Sequence, residues 1–174
     1  MKISSGWHRL VCRRFPVPPN RKPKFAPLKL EACQPLERVH ARTNLRERTI
    51  ELDQALLADA PEFVRITVHE IFHFVWRRLD NATRLSWQQM LEGEVRQQVP
   101  GELGWSAEWR KAKIIEDGGS PRRWREYICE SFCDTAAWYF SPRRRHPEFT
   151  LGRGARSIRK RWFDRLLATR PLPL

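Results

Sequence analysis

From residue 61 to residue 79 apolar side chains recur so closely that a helix carrying them is apolar nearly all round: Phe63, Val64, Ile66, Val68, Ile71, Phe72, Phe74, Val75 and Trp76. Apolarity sustained over that length reads as a buried helix rather than a strand. The pattern predicts a start at Pro61, with Asp59 available as the cap, and a run to about Leu79, before Asp80-Asn81. A second helix covers 82–98 and ends at Pro100-Gly101. A shorter one runs from Ser106 to Ile115, with Ser106 as cap and Glu108 near the positive helix end, until Asp117-Gly118-Gly119-Ser120-Pro121 breaks it. Arg122 to Phe140 is the fourth, stopped by Ser141-Pro142. In the last, Ala155 to Ala168, the residues Ile158, Trp162, Leu166 and Leu167 share one side, a stripe expected to dock on the core.

Strand character is confined to the N-terminal third. Gly6 to Cys12, Leu36 to Ala41 and Arg48 to Leu52 are the candidates, the last with Thr49, Ile50 and Leu52 giving partial β-branched character. Phe15 to Pro23 must be extended, because its prolines lack donors and restrict their predecessors. There is no internal repeat. The expected fold class is α+β, mostly helical with a small N-terminal sheet packed on the helix at 61–79. A basic arm at 1–47, a core at 48–141 and a basic tail with a helix at 142–174 are expected to form one compact domain, as the length of 174 residues suggests.

Charge adds a second theme. The formal net charge is +13, and it is uneven: residues 1–48 hold 12 Lys and Arg against 3 Asp and Glu, residues 142–174 hold 10 against 2, and the middle holds 11 against 15. Basic termini around a mildly acidic middle suggest a polyanionic partner, nucleic acid being the obvious one. Arg143, Arg144, Arg145, Arg159, Lys160 and Arg161 are the candidate contacts. No apolar run is long enough to span a membrane, and Met1 to Arg9 lacks the apolar core of a signal peptide, so a cytoplasmic location is expected. Cys12, Cys33, Cys129 and Cys133 follow no disulfide-framework spacing. Cys129 and Cys133, one turn apart, have thiolates that suit zinc in principle, but small buried hydrophobes are the preferred reading.

The candidate chemistry lies in the apolar helix, where His69-Glu70-Ile71-Phe72-His73 is an H-E-x-x-H run. Four residues turn a helix by about 400°, so both imidazoles project from one side, where a single metal ion takes both. Glu70, beside them, suits the general-base role of accepting a proton from an activated water. Ionisable groups on so apolar a helix call for a compensating partner, and zinc is the expected cofactor.

A catalytic zinc needs a third protein donor. Glu92 and Glu94 offer one, but they sit among Gln, Arg and Gly, the pattern of a solvated face. Glu130 is the better candidate, in a helix apolar apart from Glu130 and Asp134, which are spaced i, i+4 and share a face. Glu94, Asp134 and His146 remain as alternatives.

His69-Glu70-x-x-His73 followed by Glu130-x-x-x-Asp134 resembles the gluzincin clan of zinc metallopeptidases, closest to minigluzincins and SprT-like proteases. The resemblance covers roughly residues 48 to 140 and is specific at the two motifs. It implies a zincin-like fold, His69, His73 and Glu130 as zinc ligands, Glu70 as general base, and Asp134 as the acceptor that orients the His69 ring. The long separation between the motifs, with Trp87, Trp105 and Trp109, departs from the family pattern.

Two further residues are candidates for stabilising developing charge: Tyr127, one turn before Glu130, and His146, in a basic turn after that helix. The leading functional expectation is therefore a zinc-dependent metallopeptidase acting on a peptide or protein substrate. The alternatives are a nucleic-acid-associated binding or regulatory protein with a structural or inactive zinc site, and an accessory protease confined to one partner.

Overall fold

A computed structural model describes residues 28–33, 40–169 and 171–172. The expected strand at Gly6 to Cys12 and the extended segment at Phe15 to Pro23 lie outside the described residues. So do residues 34–39, most of the strand expected from Leu36 to Ala41.

Three strands come first: β1, Lys29–Cys33; β2, Ala41–Asn44; and β3, Thr49–Asp53. They form one sheet in the order β1-β3-β2, with β1 parallel and β2 antiparallel to the central β3. Thr43 pairs with Ile50 and Ala41 with Leu52. Asn44 closes the β2–β3 hairpin by accepting the N–H groups of Arg46 and Glu47 on its side-chain oxygen, each at 3.1 Å, as Asn does in turns. Ile50 and Leu52 turn to the core and are almost fully buried.

A short 3-10 turn, Gln54–Ala58, leads to α1, Ala60–Arg78. Asp59 caps α1 by accepting the Glu62 N–H, and a proline stands in the first turn, where no donor is needed. The remaining helices are α2, Asn81–Arg96; α3, Trp105–Asp117; α4, Pro121–Phe140; and α5, Arg153–Thr169. Asp80 caps α2 and Ser120 caps α4, whereas α3 ends on Gly118 in the left-handed region that favours glycine. The protein is thus mostly helical with a small sheet, an α+β arrangement.

Every other helix touches α4, and α1 packs against both α4 and the strands β2 and β3. The core is aromatic. Phe72 of α1, Phe132 of α4 and Phe163 of α5 meet with ring centroids 5.3–6.2 Å apart, and Trp87 of α2 crosses Trp162 of α5 at 4.9 Å. Burying each such Phe contributes roughly 1.5–3 kcal/mol. The indole N–H of Trp87 finds the Ile128 carbonyl at 3.2 Å, so the largest core residue leaves no donor unpaired. The buried side of α5 differs from the expected stripe: Ile158 is exposed, and Ala155, Arg159, Trp162, Phe163 and Leu166 face inward.

Candidate metal centre

His69, Glu70 and His73 of α1 line a cleft of about 580 Å³. β2 and its flanks supply His40, Ala41, Arg42, Thr43 and Leu45, while α3 supplies Trp105 and Ser106. Glu130 and Asp134 reach the same cleft from α4, and Glu148 comes from the loop before α5.

Donor atoms of His69, His73 and Glu130 all lie within 4.8 Å of one another. His69 Nε2 is 3.4 Å from Glu130 Oε2. Two imidazoles one turn apart on α1 and a carboxylate from a second helix form a group that could hold a metal ion.

What surrounds these donors orients them. His69 Nδ1 is 2.7 Å from Asp134 Oδ1. Asp134 Oδ2 in turn accepts the Ala107 N–H at 3.0 Å, at the N-terminus of α3, where a helix favours negative charge. The expected cap of α3, Ser106, plays a different part: the helix is capped at Gly104 without a side-chain bond. Glycine is required there by proximity, since a Cβ at residue 104 would meet the Asp134 carboxylate at 2.3 Å. Ser106 instead donates its hydroxyl to Glu130 Oε2 at 2.6 Å, and Arg110 stands 3.6 Å from Glu130 Oε1.

These contacts set the charges. Burial opposes ionisation of Glu130, but the bond and charge of His69, the charge of His73 and the Ser106 hydroxyl outweigh it and lower the pKa to about 2. Burial opposes charge on His69 too; the Asp134 charge and hydrogen bond, with Glu130 and Glu70, raise its pKa well above the ordinary value. Both shifts follow from the His69 ring lying between the carboxylates of Glu130 and Asp134. Glu70, at 9% exposure, accepts the Thr43 hydroxyl on Oε2 at 2.5 Å.

Other expected residues lie elsewhere. Tyr127 is fully buried and donates its phenol to Glu102 Oε1 at 2.6 Å, away from the cleft; residues 127, 131 and 135 form a separate polar stripe of α4. That corrects its assignment as an oxyanion donor. Arg159 is likewise not a surface contact for nucleic acid. It has no exposure and bonds to Glu94 and Glu102 at 2.6–3.1 Å. Glu94 is therefore a buried ion-pair partner rather than part of a solvated face. Arg143 pairs with Asp59 and Glu62, and Lys160 with Asp164, whereas Arg144, Arg145 and Arg161 are exposed. His146 is not among the cleft residues; its Nε2 is 3.7 Å from Glu62. Trp87 is core, while Trp105 and Trp109 stack at 6.3 Å with 62% and 47% exposure, Trp105 at the cleft.

Thr43, Gly104 and Arg110, and the part Ser106 plays beside Glu130, escaped the sequence reading. Their roles depend on contacts between distant segments, and no local signal marks them. Comparison with known proteins returns no family model, no curated protein and no solved structure that matches the chain.

Proposed function

We propose that the chain is a zinc-dependent metallopeptidase of gluzincin type with a zincin-like arrangement of its active-site helix, sheet and α4. The observation that carries this reading is the convergence of His69, His73 and Glu130 in an open cleft, with Glu70 on the same helix as the two histidines. Two histidines and one carboxylate form a donor set found in catalytic zinc sites, which keep a fourth position open. Zinc held there supplies Lewis acidity, polarising the scissile carbonyl and making water a nucleophile near neutral pH.

The protein's own groups do the rest. Asp134 accepts from His69 Nδ1 and so fixes the tautomer that presents the Nε2 lone pair. Thr43 holds one oxygen of Glu70, leaving the other to take the proton of the attacking water and pass it to the leaving amine. β2 is an edge strand among the described residues, and its residues line the cleft, so an extended peptide can add to it by main-chain hydrogen bonds. Trp105 offers an apolar face to a substrate side chain at the same cleft.

The test is Glu70→Gln assayed on unfolded proteins and peptides. The reading requires hydrolysis to vanish while zinc content and fold stay as in the wild type. Full hydrolysis by this variant would contradict it.

A further inference from the structure

Behind the first donor set lies a second that the proposed reaction does not use. Cys129 and Cys133 are both free thiols, one turn apart on α4, and both sulfurs stand 3.6 Å from the same atom, His73 Nδ1. The three atoms lie within 4.8 Å of one another. Cys133 is fully buried, while Cys129 is partly exposed and gives access from solvent.

An imidazole nitrogen has one lone pair or one N–H, so Nδ1 pairs fully with one thiol. The two thiols also bond to each other, which draws all three donor atoms around one point. A cation at the centre satisfies all three atoms together. Tetrahedral zinc, with bonds of about 2.3 Å to sulfur and about 2.0–2.1 Å to nitrogen, places sulfur and nitrogen about 3.5 Å apart. The observed separations agree with that spacing. Two thiolates and an imidazole are soft donors, which select thiophilic d10 cations such as zinc, cadmium or copper(I) over magnesium or calcium.

We propose that His73 Nδ1, Cys129 Sγ and Cys133 Sγ form a second, thiolate-rich metal site, coupled to the first through the single imidazole of His73. As the two sulfur–metal bonds form, the two thiol protons pass to solvent, and Nδ1 gives up any proton it carries. The ring then has Nε2 for the first donor set and Nδ1 for the second, so occupancy of one site changes the basicity of the ligand offered to the other. This site does not depend on peptidase activity, and its test reads none.

Cadmium alone serves as the probe, because thiolate ligation gives an ultraviolet charge-transfer absorption that imidazole and carboxylate ligation lack. Cys12 and Cys33 would also take cadmium, so the full-length chain is titrated as its Cys12→Ser/Cys33→Ser variant. The expected result is an absorption that saturates at one thiolate-bound cadmium per chain. It persists in His69→Ala and in Glu130→Ala, which remove donors of the first set alone. It is lost in Cys129→Ala/Cys133→Ala, and in the partly exposed single variant Cys129→Ala it weakens about 10-fold or more in affinity. Circular dichroism on each variant separates loss of the site from loss of the fold, and Cys129→Ala is the variant that decides if the double substitution unfolds. No charge-transfer absorption in the parent, or one undiminished in folded Cys129→Ala, overturns the proposal.

Discussion

His69 Nδ1 and Asp134 Oδ1 stand 2.7 Å apart, and the other oxygen of the same carboxylate holds the first turn of α3 through the Ala107 N–H. One side chain therefore links a candidate metal ligand on α1 to the placement of a third helix. Asp134→Asn keeps the size of the side chain but weakens its hold on the imidazole. Zinc affinity, read by chelator competition, is expected to fall about 10-fold to 100-fold, with the fold retained. Affinity equal to that of the wild type would remove Asp134 from the site.

Gly104→Ala tests the same junction from the other side. The added methyl meets the Asp134 carboxylate, so either α3 or Asp134 must move. A loss of about 1–3 kcal/mol in urea unfolding is expected, accompanied by weaker zinc binding. Lost stability with unchanged zinc affinity would show that α3 alone gives way.

Thr43→Val removes the hydroxyl that holds Glu70 while keeping the β-branched shape suited to β2. The expected consequence is a fall in kcat of about 10-fold or more, since the base loses its orientation, with zinc content unchanged. An unaltered kcat would mean that Glu70 is positioned by α1 alone.

Arg159 carries the buried charge cluster. Removing it leaves buried Glu94 without its ion-pair partner and Glu102 with Lys111 as its remaining cation, so Arg159→Met is expected to cost about 3–5 kcal/mol in urea unfolding at neutral pH. Burial pushes the Glu102 carboxyl up, but the charges and hydrogen bonds of Arg159, with Lys111 and Tyr127, bring its pKa below the ordinary 4.5. A depressed carboxylate contributes stability that is fully present above its unfolded value and is lost as pH falls through its folded value. Wild-type stability should therefore lose this contribution only below about pH 4.5. A loss setting in between pH 7 and 5 would not come from Glu102.

The difference between what the sequence revealed and what it concealed follows contact range. The helix at 61–79 was legible because its apolar run and its Asp59 cap are local signals, and it is observed at Ala60–Arg78. Glu130 and Asp134 were legible as a pair because i, i+4 spacing fixes a shared helix face. Tyr127 was misread by that same logic: three residues before Glu130 is only near its face, and the fully buried Glu102, 25 residues away, draws the phenol elsewhere. Arg159 and Glu94 looked like surface charges because their neighbours in sequence are polar, and their partnership spans 65 residues. Ser106 resembled a cap, yet Asp134 serves the start of α3 from another helix and frees the serine hydroxyl for Glu130. In each case a partner distant in the chain, which local pattern does not show, decided the role of the side chain.

The central claim is that His69, His73 and Glu130 hold a zinc ion, and metal content measures it most directly. Zinc per chain is determined by elemental mass spectrometry on the purified wild type and on His69→Ala, which leaves His73, Cys129 and Cys133 intact. The account predicts that the substitution lowers bound zinc by one ion per chain, with Glu130→Ala doing the same. Equal zinc in wild type and both variants would contradict it.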